Sequence, residues 1–218
     1  MITRSEENYL KAIFSVHMQT KKNVSTNDIA NLLDTSPASV TEMIKKLQEK
    51  KLVIYEKYNG VRLSSKGEDN AIKIIRKHRL WETFLVNKLD FSWSEVHDVA
   101  EQLEHIKSNK LTDKLDHFLN HPKFDPHGDP IPTKNGVFNF QERISIFEMD
   151  INEEGIIMGV SLDNKDFLDH LTKLKISIGT RVRVLEQIKF DQSMKIKYDS
   201  RTEHISKEIA ENILIKIN

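Results

Sequence analysis

Between residues 25 and 64 the sequence changes its hydrophobic period in a fixed order, and that order constrains the fold more than any other feature. Ser25-x-x-Asp28 has the form of a capping box and opens a short helix with Ile29, Ala30, Leu32 and Leu33 apolar. After the polar turn Asp34-Thr35-Ser36 a second, amphipathic helix turns Val40, Met43, Ile44 and Leu47 inward. Two β-prone runs follow, Leu52 to Tyr58 and Val61 to Ser64, separated by Asn59-Gly60, a strong short-range hairpin signal. Helix, tight turn, helix and hairpin in this order predict a winged helix-turn-helix. A generic small α+β domain whose hairpin only caps a core is the competing reading. An earlier helix is expected from Thr3 and Glu6, again a capping box, with Tyr9, Leu10, Ile13, Phe14 and Val16 along one face.

The remainder divides by the same logic. Ser65 to about Leu89 reads as one long helix, and Phe91-Ser92-Trp93 interrupts it. Ser92-x-x-Glu95 opens a further helix expected to reach about Ser108, and a shorter one spans Leu111 to Leu119. His121 to Pro132 holds four of the five prolines, which excludes helix and central strand and marks a rigid connector at a domain boundary. From Ile144 the period shortens. Ile146/Glu148, Gly155–Val160, Thr180–Leu185 and Met194–Tyr198 read as short strands around one helix, Lys165 to Leu174. The expected fold is therefore a mainly α N-terminal half followed by a small β-rich, SH3-like barrel. Expected boundaries are 1–72, 73–140 and 141–218.

Charge and composition narrow the function. The 218 residues carry 33 basic and 33 acidic side chains, a zero balance that argues against a nucleic-acid partner when taken globally. Residues 1–80, however, hold 15 Lys/Arg against 9 Asp/Glu, leaving the rest with 18 against 24. The winged-helix end is basic and the remainder acidic, which suits phosphates at one end and cations at the other. With no cysteine, disulfides, thiolate catalysis and sulfur-ligated metals are excluded. The N-terminus has no apolar leader and no run is long enough to span a membrane, so a cytoplasmic protein with no membrane partner is expected.

The helix after Ser92 carries a candidate ligand face. At about 100° per residue, His97, Glu101, Glu104 and His105 share one sector, and the preceding helix adds His78 and Glu82 four residues apart. Such pairs can equally solvate a helix surface. Two of them on consecutive helices, one extended by a further turn, favour metal binding. Oxygen and imidazole without sulfur suit Mn(II), Fe(II), Co(II) or Zn(II).

Together with the winged helix, the stretches Arg76-Lys77-His78-Arg79-Leu80-Trp81-Glu82, Val96-His97-Asp98 through Glu104-His105, and Gly128-Asp129-Pro130-Ile131-Pro132 resemble the diphtheria-toxin-repressor family of metal-activated transcriptional repressors. The resemblance implies a helical dimerisation and metal-binding domain and a C-terminal SH3-like (FeoA-like) domain. It implies an effector metal site at Glu101, Glu104 and His105 with Asn8 from the first helix. An ancillary site would use His78, Glu82 and His97, completed by Asp163 and Asp166, although Asp163 also suits a helix N-cap and Asp166 its capping partner. Iron-type members have Cys where this chain has Glu101; the hard oxygen resembles the manganese-responsive branch and favours Mn(II), with Fe(II) second and Zn(II) or Co(II) in vitro. Two positions depart from that branch. Asn8 stands in place of Asp, and Lys11 in place of the Glu of a short-chain subgroup, which argues against a paired-metal centre.

The implied partners are double-stranded DNA, as a palindromic operator, and a second copy of the chain, with no small organic substrate and no enzymatic activity. Ser36, Pro37, Ala38, Ser39 and Glu42 lie at the tip of the recognition helix, with Thr41, Lys45, Lys46, Lys57 and Arg62 placed for phosphates. The Lys45-Lys46 and Lys50-Lys51 pairs also suit a solvated helix end. A metal-independent winged-helix regulator and a metallohydrolase on the same Glu/His face remain as alternatives.

Overall fold

The computed structural model describes residues 2–56 and 59–217. They form two compact units, Met1–His78 with Glu101–Asp113 and Pro132–Val137, and Arg79–Ala100 with Lys114–Ile131 and Phe138–Asn218.

In the first unit, α1 (Arg4–Thr20) starts at the Thr3–Glu6 capping box, with Glu6 N–H donating to Thr3 Oγ1 at 3.3 Å and Thr3 N–H to Glu6 Oε2 at 2.9 Å. α2 (Thr26–Leu32) starts at the Ser25–Asp28 box, and α3 (Pro37–Glu49) starts at Ser36 with proline in its first turn, where a missing N–H costs nothing. Leu10, Ile13, Ile29, Val40, Ile44, Leu47, Leu52 and Val61 are fully buried between these helices and the hairpin, each contributing about 1.5–3 kcal/mol. Leu32 and Met43 depart from expectation: Leu32 is 54% exposed and Met43 half-buried, because α2 makes only two turns and its last residue overruns the core.

The wing is β1 (Val53–Glu56) paired antiparallel with β2 (Gly60–Leu63). Gly60 pairs with Glu56, so it belongs to the strand and not to the turn. Its φ is +89°, and a Cβ there would lie 2.7 Å from Val24 O. Glycine is required because Val24 and Val61 exchange backbone hydrogen bonds of 2.8 and 2.9 Å beside it, tying the α1–α2 connection to the wing.

α4 (Ser65–Leu89) has the predicted bounds, α5 spans Val96–Leu103 and α6 Asn109–Phe118. α5 is shorter than expected. Ile106 N–H bonds to Leu103 O and closes a turn holding Glu104 and His105, while Ser108 Oγ accepts from Leu111 N–H and so belongs to the start of α6.

In the second unit, Leu80, Leu115 and Ile131 form a small core with Trp81, Phe84 and Leu119 against it. Asp125, His127, Gly128, Pro130 and Ile131 of the proline-rich segment are buried here. Asp125 Oδ1 accepts from His127 N–H and Asp129 N–H, both at 2.9 Å, and Gly128 (φ +88°) passes so close to Met158 O that a Cβ would clash.

The C-terminal part has β3 (Ile144–Ser145), β4 (Glu154–Val160), α7 (Lys165–Leu174), β5 (Arg181–Gln187), β6 (Met194–Tyr198), β7 (Arg201–Ile205), α8 (Lys207–Asn212) and β8 (Ile213–Ile217). The strands form one antiparallel sheet in the order β3-β8-β4-β5-β6-β7 around a core that includes Ile146, Ile157, Leu168, Leu171, Val184, Ile196, Ile213 and Ile215. A helical N-terminal half followed by a β-rich domain is the predicted class. Ile146–Glu148, read as a strand, is a 3-10 turn, because Ser145 N–H and Oγ both donate to Glu148 Oε2 and curl the backbone. β7, α8 and β8 went unanticipated: β7 is a short polar strand and α8 has only six residues, too few to show a period, while the apolar β8 follows α8 with no turn residue between them to mark its start.

Candidate metal centre and nucleic-acid-facing helix

Within the first unit, α1 presents Glu7 and Lys11 to the end of α5 and the turn after it. Glu7 Oε2 lies 2.5 Å from His105 Nδ1. Because Glu7 is a carboxylate, Nδ1 carries the proton and donates it, which leaves the Nε2 lone pair as an acceptor. Lys11 Nζ donates to Glu101 Oε1 and Glu104 Oε2, each at 2.8 Å, and lies 3.2 Å from His78 Nδ1. His78 Nδ1 is itself 2.6 Å from Glu104 Oε2. Glu104 is completely buried. Burial pushes its carboxyl upward, but the hydrogen bond from His78 and the charge of Lys11 outweigh that and hold it below the ordinary carboxylate value. Lys77 is shifted down by burial, with Glu7 and Glu104 opposing.

Among the described residues, three buried side-chain atoms have no hydrogen-bond partner. Asn8 Oδ1, Glu104 Oε1 and His105 Nε2 are buried and accept no hydrogen bond, and the last two lie 3.7 Å apart. Each is a lone-pair donor, and leaving such groups unmatched costs about 1–3 kcal/mol apiece. An amide oxygen, a carboxylate oxygen and an imidazole nitrogen oriented by a second carboxylate form the ligand set of a hard or borderline divalent cation. The residues thus fit the metal that the sequence implies. Glu104 and His105 lie side by side, Asn8 Oδ1 is buried on α1, and the Glu101 oxygen is engaged by Lys11. Glu7 was missed; its only sequence signal is its place next to Asn8.

In the second unit, Glu82 is buried with Oε1 3.5 Å from His97 Nδ1 and Oε2 3.8 Å from His127 Nδ1. Glu82, Asp125 and His127 form a second buried group of ligand-type atoms. Asp125 and His127 were not foreseen as candidates, since they sit in the proline-rich segment outside any helical spacing. Burial lowers the His127 pKa, but Glu82 and Asp125 outweigh it and raise it to about 9, with Nε2 donating to Trp93 O at 2.8 Å. Burial and the Glu82 charge push Asp125 up to about 7. His78, the remaining sequence candidate on α4, lies in the first unit against Glu104. Asp163 and Asp166 are exposed at the start of α7. The N-cap is Asn164, whose Oδ1 accepts from Phe167 N–H at 2.9 Å, so Asp163 is not the cap. Among the described residues, no compact group of three ligand atoms includes either aspartate.

On α3, Pro37, Ala38, Ser39, Thr41, Glu42, Lys45 and Lys46 are exposed, as are Ser36 and, on the wing, Arg62. Lys57 lies outside the described residues. Ser36 Oγ accepts from Ser39 N–H at 3.1 Å, and Thr41 Oγ1 donates to Pro37 O at 2.9 Å, so part of their hydrogen-bonding capacity is spent on the helix itself. A groove lined by Arg4, Asn8, Thr35, Ser39, Glu42 and Lys46, among others, runs from the Asn8 position to this helix. Lys50, the C-cap of α3, donates to both oxygens of Glu6 at 2.7 and 2.9 Å, fastening the start of α1 to the end of α3.

Comparison with known proteins places these features. Residues 1–61 match the iron dependent repressor N-terminal DNA binding domain, residues 64–133 the iron dependent repressor metal binding and dimerisation domain, and residues 145–217 the FeoA domain. The HTH-type transcriptional regulator MntR of Listeria monocytogenes is 35% identical over 126 residues, 56% of this chain and 87% of that protein. A 72-residue stretch, 33% of this chain, is 44% identical to a probable metal transport system membrane protein of Chlamydia trachomatis, of which it spans only 16%. Among solved structures, a manganese-dependent transcriptional repressor in complex with manganese is 32% identical with a TM-score of 0.88, covering 98% of this chain and 100% of that one. The manganese regulator SloR is 32% identical with a TM-score of 0.77, covering 98% of both chains. A winged-helix fold, a ligand-lined α1–α5 junction and these matches along nearly the whole chain establish that the protein belongs to the iron dependent repressor family of metal-dependent transcriptional repressors.

Proposed function

We propose that the protein is a homodimeric repressor of metal-uptake genes, activated by Mn(II), with Fe(II) as the second choice, that binds a palindromic operator in the cytoplasm and catalyses no reaction. The observation that carries this reading is the trio of buried acceptors on Asn8, Glu104 and His105 with no donor among them. Oxygen-rich donors without sulfur favour Mn(II) over softer ions. The bound ion supplies positive charge to this trio. Asn8 then ties α1 to the Glu104-His105 turn, Glu7 holds the imidazole in its ligating tautomer, and the Glu6–Lys50 ion pair passes the position of α1 to α3. A cation that prefers the DNA-competent arrangement raises DNA affinity, and DNA raises cation affinity by the same factor. In this reading 1–72 binds DNA, 73–140 dimerises and binds metal, and 141–218 is accessory. Glu82 and His97, with His78 one turn earlier on α4, serve an ancillary ion, for which Asp163 and Asp166 are the candidate completing groups.

An operator gel shift with Mn(II) and then with chelator tests the proposal. Binding is expected with Mn(II) and at least tenfold weaker with chelator; equal binding in both would remove the metal switch. Glu104→Ala is expected to abolish the Mn(II) effect.

A further inference from the structure

The first turns of α3 offer few free polar groups. Pro37 and Ala38 carry no polar side-chain atom. The Ser36 and Ser39 hydroxyls lie 2.9 Å apart, Ser36 Oγ also accepts from Ser39 N–H at 3.1 Å, and Thr41 Oγ1 donates to Pro37 O at 2.9 Å. Glu42 is the exception. Its side chain is exposed, and among the described residues its carboxylate makes neither a hydrogen bond nor an ion pair. At about 100° per residue it falls on one face with Ala38, Ser39, Lys45 and Lys46, opposite the buried Val40, Ile44 and Leu47. Arg4, Ser39 and Lys46 line the same groove as Glu42. The carboxylate is therefore set among cations and paired with none of them.

We propose that Glu42 is a specificity-determining residue that requires a cytosine in the operator half-site, its carboxylate accepting from the cytosine N4 amino group in the major groove. The inference rests on the repressor reading above, which aims α3 at base edges, and it adds which base that helix demands. An ionised carboxylate is an acceptor only. Two bases offer it a donor in the major groove, adenine through N6 and cytosine through N4. The adenine donor lies between two acceptors, its own N7 and the paired thymine O4, and both repel a carboxylate. The cytosine donor has an acceptor on one side alone, the paired guanine O6, and a C–H on the other. Opposite any other base the carboxylate would lose water and meet no donor while facing the phosphate charges, which is unfavourable. Glu42 thus supplies discrimination against wrong sequences more than affinity for the right one. In the same reading Lys45 and Lys46, three and four residues on, take phosphates and hold the helix in place.

The test is selection of duplex DNA from a randomised pool by the full-length protein in Mn(II), followed by sequencing, with Glu42→Gln and Glu42→Ala run beside the native protein. Both substitutions fall on an exposed helical position, so the far-UV circular dichroism is expected to stay unchanged. The native protein is expected to select cytosine at one position of the half-site, with a loss of about tenfold in affinity when that base pair alone is changed. Glutamine adds an amide donor that can pair with adenine N7 while its oxygen accepts from N6. Glu42→Gln is therefore expected to move the preference at that position to adenine, and Glu42→Ala to leave it with no preferred base, all other positions staying as in the native protein. An unchanged consensus in both variants would overturn the assignment. So would uniformly tighter binding of every sequence, the sign of a carboxylate that only repels phosphates. A native protein that selects no sequence in Mn(II) would instead overturn the repressor reading on which the assignment rests.

Discussion

Glu104 shows how one side chain is made to serve two partners. A carboxylate removed entirely from water is costly by several kcal/mol, and it stays ionised here because Lys11 and His78 crowd one of its oxygens. The other oxygen faces His105, whose proton is drawn to the opposite ring nitrogen by Glu7. Glu7 would therefore act on a bound metal without touching it, by fixing the His105 tautomer. Replacing it with glutamine keeps an oxygen for the Nδ1–H but removes the charge that makes the imidazole a stronger base. Glu7→Gln is expected to weaken Mn(II) binding by about tenfold, at the low end of such outer-shell effects, with the far-UV circular dichroism of the metal-free protein unchanged; a calorimetric titration gives the affinity.

At the scale of elements, the decisive relations are those between α1, α3 and the end of α5. α1 is fixed at its start to α3 through Glu6 and Lys50, and along its length it delivers Glu7 and Lys11 to Glu101, Glu104 and His105. α3 depends in turn on Ser36, whose hydroxyl accepts from Ser39 N–H and lies 2.9 Å from Ser39 Oγ. Ser36→Ala is expected to cost about 1 kcal/mol of stability, seen as a lower urea midpoint with an unchanged slope. On the proposed function it is also expected to weaken operator binding, because that reading places the first turn of α3 against base edges. The ends of these helices were the least legible part of the sequence. Ser92 and Glu95 announced the start of α5 through a local hydrogen bond that any reader of spacing can find. Its end at Leu103 has no such local signal, since Ser108 could continue one helix or start another, and only its bond to Leu111 N–H assigns it.

For the molecule as a whole, the buried Glu82–Asp125–His127 group makes stability depend on pH. His127 titrates near 9 in the fold against an ordinary 6.5, so its contribution is complete below pH 6.5 and is lost as pH rises through about 9. Asp125 acts in the same direction at lower pH: ionisation, displaced from 3.8 to about 7, penalises the fold progressively across that interval. In chelator the thermal midpoint is expected to fall between pH 7 and 9, by an amount on the order of 2–3 kcal/mol in stability. His127→Gln should flatten that upper part of the profile; a variant as steep as the native protein would assign the effect elsewhere. The zero net charge resolves in the same way, into a basic winged-helix end and a remainder with 24 acidic against 18 basic side chains. By itself the sequence determined the winged helix and the residue types of Glu104 and His105 as potential ligands, because capping boxes, hydrophobic period and ligand spacing act between residues a few positions apart, while Asn8 came only from the resemblance to the family. Only the tertiary structure decided that Lys11 fills the gap between His78, Glu101 and Glu104, that Glu7 orients His105, and that Asp125 and His127 of the proline-rich segment are buried. Those contacts join residues 67 to 98 positions apart, or depend on burial, and no local pattern records which charges a folded chain will bring within hydrogen-bond distance.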